Sequence, residues 1–452
     1  MSITSASTNG VGFRGASATE IADSVRRQIE RGELAPAAAL PPVRTLADEL
    51  GVNRNTVVAA YRLLTQAGLV EARGRAGTRV AERTPVAQDG FAQNTVLRDL
   101  AAGNPDPRLI PDLRPALGRI AGRPVLYGEP IIDRDLAAWG ETWMREALSD
   151  ERALKLTITG GASDAIERLL AQTLTRDDAV ALEDPCFLAS LNTVRLGGYR
   201  PVAVPVDAEG MTVDGLRAAL DAGARAVLLT PRAQNPTGAS LSAERAAALR
   251  ELLAEHPYVM VIEDDHFSLL SEQPFHSIIG ADHRRWALVR SVSKFLGPDM
   301  CLAIVASDPE TAGRLAERLN PGATWVSHLL QRLALEQLTD ADAVAAVTAA
   351  AAHYADRNRI AAAAFTAAGV PVIAGDGLSL WVPLPVPARA ASEQLMRRGW
   401  LARPGDEFVL ENEHAARHLR LTVHDLSDAD LERLATDLAA AIPAAAATLK
   451  AG

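Results

Sequence analysis

The chain opens on a period-of-four apolar stripe. Ile21, Val25 and Ile29 recur between a Ser17 or Thr19 cap and Gly32, which predicts an amphipathic helix over 17–32. Residues 45–50 predict a second, short helix, Gly51 a turn, and Asn53 the cap of a third, together a helix-turn-helix. The run from Gly68 to Val80 then reads as a hairpin whose tip is rich in Gly and Arg. Both periodicities vanish over 82–97, where Pro85 and Gly90 mark a linker.

From about 155 to 310 short apolar runs alternate with helix-like stretches. The runs 155–159, 178–182, 201–204, 226–230, 258–263, 286–290 and 302–306 predict strands, and their alternation with helices predicts an α/β layer with a mostly parallel sheet. Beyond 310 the chain is helical and Ala-rich, with a long helix over 340–368. It closes with short strands near 378–383 and 418–423 and a last helix over 427–441. The organisation expected is a winged helix-turn-helix at 14–82, a linker at 83–97 and a larger body at 98–452, its small α+β subdomain covering roughly 340–452.

Composition sharpens this. A length of 452 residues allows two to three domains, and 48% apolar residues suffice for a large core. The net charge of −10 is uneven: Arg14 to Arg83 hold 11 Arg against 8 Asp+Glu (+3), and residues 1–13 none, so the rest sums to −13. A basic head on an acidic body suits DNA contact confined to the head. Cys186 and Cys301 have no paired spacing, which argues for a reducing compartment and against a zinc site. With no secretory leader pattern and no stretch of the roughly 20 apolar residues that span a bilayer, a cytoplasmic protein is expected.

Within the head, Arg54, Asn55 and Thr56 project from the first turn of the predicted recognition helix, where base edges and phosphates are met. Arg44 precedes the turn, and Arg73, Arg75 and Thr78 lie on the wing. A helical protein-interaction module is the alternative; turn, cap and arginine wing occurring together favour double-stranded DNA.

In the body, lysine is scarce. It occurs only as Lys155, Lys294 and Lys450, the other 43 of the 46 Lys+Arg being arginine. Where charge alone matters this chain uses Arg, so a retained Lys marks a need for a primary amine. Lys294, in Arg290-Ser291-Val292-Ser293-Lys294, sits between an apolar strand and a Gly-Pro turn, a place suited to a Schiff base with a carbonyl cofactor. Four further strand ends are polar. Gly160-Gly161-Ala162-Ser163 opens a helix and can present backbone N–H groups to an anion, although a plain helix cap explains it equally well. Phe187 can stack on a flat ring or fill the core. The Asn235 amide can donate to a phenolic oxygen. Glu263-Asp264-Asp265 ends a buried strand in acids, one of which can keep a pyridine nitrogen protonated.

In that order these features resemble fold type I pyridoxal-phosphate aminotransferases. With the winged helix in front, carrying Arg44, Arg54-x-Thr56 and the Arg-x-Gly wing, the chain resembles the MocR-type regulators of the GntR superfamily over about residues 18–440. The resemblance implies a Schiff base of pyridoxal 5'-phosphate on Lys294, Asp264 at the ring nitrogen, Asn235 and His266 at the ring oxygen, and Phe187 on the ring face. It also implies Gly161, Ala162, Ser163, Ser291 and Ser293 around the phosphate, Arg420 as the grip on an effector carboxylate, and a head-to-tail homodimer. Three positions depart from the family. His266 stands where Tyr is usual, Phe187 lacks a hydroxyl, and Cys301 replaces the phosphate-binding Arg, a loss of roughly 1.5–3 kcal/mol. The expected function is a DNA-binding transcription regulator that senses pyridoxal phosphate or an amino compound. A working aminotransferase with an accessory head and a cofactor-free dimerisation scaffold are the alternatives.

Overall fold

The computed structural model describes residues 12–66, 69–72, 77–81, 96–120, 124–148, 151–319, 324–411 and 415–451. The chain divides into two units, Met1–Val86 and Ala87–Gly452. Arg73, Arg75 and most of the linker lie outside the described residues.

The head packs three helices, α1 (Ala18–Glu30), α2 (Val43–Leu50) and α3 (Arg54–Gln66), with the antiparallel strands β1 (Val70–Ala72) and β2 (Thr78–Val80). Ser17 and Glu20 form a reciprocal capping box at the start of α1, so the helix begins where the cap stands. Gly51 ends α2 at φ +66, a left-handed conformation in which a Cβ would be strained. Asn53 Oδ1 then accepts from the Asn55 N–H at 2.9 Å and starts α3. Ile21, Val25, Leu46, Val57, Leu64, Val70 and Val80 make one buried core. At about 1.5–3 kcal/mol per fully buried aliphatic side chain, this core holds the small unit together. α2 begins at Val43, two residues before its expected start, because Pro42 can flank a helix without needing its own N–H there.

The body opens with β3 (Arg98–Asp99), followed by β4 (Lys155–Thr159), β5 (Ala179–Asp184), β6 (Arg200–Asp207), β7 (Gly210–Met211), β8 (Ala224–Leu229), β9 (Met260–Asp264), β10 (Trp286–Ser291) and β11 (Ala303–Ser307). β4 to β11 form an eight-stranded sheet in the order β4-β11-β10-β9-β8-β5-β6-β7. β6, β5, β8, β9 and β10 are parallel neighbours, whereas β11 runs antiparallel to both β10 and β4. Every residue of β5, β9, β10 and β11 is buried, as expected of strands with helices on both faces. Alternate residues feed two cores: Ala181, Val227, Val261 and Leu288 enter one, and Leu182, Leu228, Ile262 and Val289 the other.

A second, smaller sheet contains β12 (Ser379–Pro383), β14 (Arg403–Pro404) and β15 (His418–Thr422), in the order β12-β15-β14. β13 (Trp400–Leu401) pairs instead with β3, in parallel. Leu100 therefore joins the core of residues 361–445, so the small subdomain recruits the start of the body as well as its end. The helix Ala341–Ala367 straddles both parts, with Val347 and Tyr354 in the large core and Ala361 and Phe365 in the small one. The last helix runs Asp428–Ala451, longer than expected, since an Ala-rich run has the highest helix propensity and continues past Pro443. Among the described residues no helix is long and apolar enough to cross a membrane.

Candidate functional site

In the head, Arg44, Arg54 and Asn55 are exposed and Thr56 and Thr78 half-buried. Neither Arg44 nor Arg54 forms an ion pair among the described residues, so the first turn of α3 presents uncompensated positive charge.

In the body, the three acids at the end of β9, Glu263, Asp264 and the following Asp265, have different partners. Glu263, fully buried, accepts from Ser277 Oγ and from the Ile278 N–H; burial pushes its pKa up to about 7. Asp265 is clamped by two arginines. Arg232 donates from Nε at 2.8 Å and from Nη2 at 3.0 Å, and Arg290 from Nε at 2.9 Å. Burial alone would raise its pKa, yet the two guanidiniums outweigh burial and lower it. Asp264 is left between them. It is 3% exposed, its Oδ1 has no hydrogen-bond partner among the described residues, and burial, then Asp265, push its pKa up to about 7 while Lys294 opposes them.

The Asp265 clamp ties three strand ends together. Arg232 precedes the Asn235 turn, Asp265 lies between Asp264 and His266, and Arg290 ends the strand that leads to Lys294. Glu183 adds a second brace. It is buried with a pKa raised to about 8 by burial, and it accepts from the Thr230 N–H and from Gln234 Nε2. The sequence reading assigned no such bracing role to Arg232, Asp265, Arg290 or Glu183. Acids at the end of apolar strands were the available signal.

Lys294 lies on the short helix Ser293–Leu296, and its Nζ donates to the Gly103 carbonyl at 3.3 Å. Arg420, 1% exposed, reaches Asn235 Oδ1 from Nη1 at 3.3 Å and the Ala101 carbonyl from Nη2. Gly103, at φ +66, lies so close that a Cβ there would stand 3.0 Å from Arg420 Nη2. Asn235, His266, Lys294 and Arg420 thus line one cavity. The free space in it is about 30 Å³. Phe187 and His266 stack with ring centroids 5.9 Å apart at 19°, and His266 Nδ1 lies 3.7 Å from Asp264 Oδ2.

The remaining candidates sit at the neighbouring sheet edge. Ala303 pairs with Thr159 on one side and Ser291 on the other, which brings the Gly161 helix start and the Ser291–Ser293 turn to either side of β11. Gly161 takes φ +104 at the N-cap of helix Ala162–Thr173, and Ser163 is exposed in its first turn. Ser291 Oγ accepts from the Ser293 N–H at 3.2 Å, while Ser293 Oγ donates to the Met300 carbonyl. Cys301 is at this same edge, exposed, its thiol directed to the Pro298 carbonyl. Arg290 is turned away from it, donating to Asp265 and to the Trp143 carbonyl and lying 4.7 Å over the Trp143 ring. Arg195 is exposed in the last turn of helix Leu188–Leu196, at the end remote from Phe187. Among the described residues no group of three or more His, Cys, Asp or Glu could hold a metal ion.

Head and body together define a winged helix-turn-helix joined to a fold type I aminotransferase-like domain. Comparison with known proteins agrees. Residues 99–438 match the family described as aminotransferase class I and II, and residues 17–80 match the bacterial regulatory proteins of the gntR family. The chain is 47% identical to the vitamin B6 salvage pathway transcriptional repressor PtsJ of Salmonella typhimurium, over 94% of this chain and 98% of that one. It is 23% identical to the probable rhizopine catabolism regulatory protein MocR of Rhizobium meliloti, over 75% of each. The body superposes on the multiple substrate aminotransferase of Thermococcus profundus with a TM-score of 0.70 at 20% identity, covering 79% of this chain and 93% of that one. The chain belongs to the MocR-type transcription regulators of the GntR superfamily.

Proposed function

We propose that this regulator binds an operator in double-stranded DNA through its head and adjusts that binding to pyridoxal 5'-phosphate held by its body. The observation that carries the reading is the convergence of Lys294, Asn235, His266 and Arg420 on one cavity, with the buried, unpartnered Asp264 Oδ1 close by. The 47% identical relative is named as a repressor of vitamin B6 salvage, which supports a B6 compound as the signal.

The residues present fit the cofactor. Its aldehyde would supply an electrophile for a primary amine, and Lys294 is the amine of the cavity. Asp264, with a pKa near 7 in a desolvated place, would take the charge of a protonated ring nitrogen more readily than a solvated carboxylate. Asn235, whose Oδ1 accepts from Arg420, would present its amide to the ring oxygen, and His266 would be the second donor. Phe187 would supply the ring face. Gly161, Ala162, Ser163, Ser291 and Ser293 would surround the phosphate, and Cys301 leaves that corner without the usual guanidinium. Weak, reversible loading follows, which suits a sensor better than a turnover enzyme. Arg420 would exchange the Ala101 carbonyl for the carboxylate of an amino compound. Assembly as a head-to-tail homodimer belongs to this reading; Leu126 and Tyr127, exposed at 65% and 89%, are candidates for such an interface.

The test joins both halves. Pyridoxal phosphate should produce a visible absorption band that borohydride locks onto the peptide containing Lys294, and it should change the affinity of the full-length protein for its operator. Lys294→Ala should lose both effects while keeping its far-ultraviolet spectrum. A label on Lys155, or an operator response that survives Lys294→Ala, would sink the proposal.

A further inference from the structure

The sheet face that carries Arg420 extends beyond the Lys294 cavity. In the β12–β15 register Trp381 stands opposite Arg420, and Pro383 opposite His418, so all four side chains project from one face. Arg420 turns to the Lys294 side, whereas Trp381 and His418 line a different, outer cavity of about 930 Å³. The wall between the two is backbone. The Asp376 N–H donates to the Gly238 carbonyl at 2.9 Å. A Cβ on Gly238 would come within 2.8 Å of the Asp376 carbonyl, and one on Gly375 within 2.9 Å of Gly238 Cα. Side chains are excluded at that crossing, so the cavities are separate rooms.

The chemistry of the outer room is specific. The Trp381 and His418 rings stack 4.9 Å apart at 5°, which makes a flat aromatic step. Pro185, Val372 and Ile373 add apolar walls, and its described lining contains no Lys or Arg. Two acidic residues, Asp207 and Asp376, are among its lining residues. Asp207 is neutralised by Arg245 at 2.8 Å. Asp376 forms no ion pair among the described residues; it accepts from Ser271 Oγ and from the Gly377 N–H, and burial raises its pKa. A desolvated carboxylate beside an aromatic step is matched by a ring that carries an ammonium group, and it repels a carboxylate on the same ring.

We propose that the outer cavity is a second ligand site, distinct from Lys294, that takes a planar aromatic amine on the Trp381–His418 step with its ammonium at Asp376. Asp376 also lines the Lys294 cavity, and Gly238 closes the turn that carries Asn235, so the two rooms share structural elements. The site does not depend on Lys294 chemistry.

Calorimetric titration of the full-length protein in a Lys294→Ala background tests it, with tryptamine and indole-3-acetate as probes of one ring and opposite charge. Tryptamine is expected to bind more tightly than indole-3-acetate by about tenfold or more. Trp381→Leu should weaken tryptamine by a similar factor, and Asp376→Asn should remove the preference for the amine. Ile373, 91% exposed at the rim, allows a variant without consequence for folding: Ile373→Arg should weaken tryptamine and strengthen indole-3-acetate. The proposal is overturned if the two probes bind equally, if Ile373→Arg and Trp381→Leu both leave tryptamine unchanged, or if tryptamine fails to bind at about 1 mM.

Discussion

Asp265→Asn keeps the side-chain volume and removes the charge on which three strand ends converge. In the native body this carboxylate is fully buried and is shared by Arg232 and Arg290, at 2.8 and 2.9 Å. Arg290 is itself only 4% exposed. With asparagine, two guanidiniums remain in the interior without a counter-charge, and the new amide N–H groups face N–H donors. Removing one partner of a buried pair costs about 3–5 kcal/mol, and with two arginines stranded the upper end is expected. Urea unfolding of the full-length protein at pH 7, followed by circular dichroism and by tryptophan fluorescence, reads the loss as a lower midpoint. The dependence on pH gives an internal check. Because the folded pKa of Asp265 is lowered, its contribution is present above the unfolded value of about 3.9 and is lost as the pH falls through the folded pKa. The gap between wild type and variant should therefore be full at pH 7 and close only in strong acid. A gap below about 1 kcal/mol at pH 7, the size of a surface pair, or one that widens on acidification, would refute the clamp.

Three further outcomes are expected. Cys301→Arg returns a guanidinium to the corner between Gly161 and Ser291 and should tighten pyridoxal phosphate by about 10–100-fold in an absorbance titration; equal affinities would mean that the corner is complete without it. Gly103→Ala forces a left-handed alanine against Arg420 and should destabilise the body by about 1–2 kcal/mol in the same urea assay, a neutral result contradicting the close approach. Arg54→Ala should cost about 1–3 kcal/mol on a specific operator in a gel-shift titration, and unchanged affinity would remove α3 from the base-reading surface.

Much of the fold was legible because local pattern encodes burial. The seven apolar runs between 155 and 306 all became strands, with ends shifted by no more than a few residues, since most are bounded by Gly, Pro or acids. The helix-turn-helix was equally legible: Ser17, Gly51 and Asn53 are caps whose chemistry acts within a few residues. At the site, Lys294 was named from its rarity and Asn235 from its strand-end turn, His266 and Arg420 from the family resemblance, and the structure brings all four to one cavity.

Other features needed the folded chain. The direction of β11 is not written in its own residues, because a buried apolar run reads alike in a parallel or an antiparallel ladder. The same holds for β7, whose two residues carry no period at all. The pairing of β3 with β13 and the contact of Arg420 with Asn235 join segments hundreds of residues apart, which only the docking of the small subdomain brings together. The division of labour among Glu263, Asp264 and Asp265 was likewise decided there. Sequence placed three acids at the end of one strand; the positions of Ser277 beside Glu263 and of Arg232 and Arg290 beside Asp265 gave those two their partners and left Asp264 Oδ1 without a hydrogen-bond partner among the described residues. Local chemistry chose the residue types, and the long-range packing of charges in a desolvated interior assigned their partners.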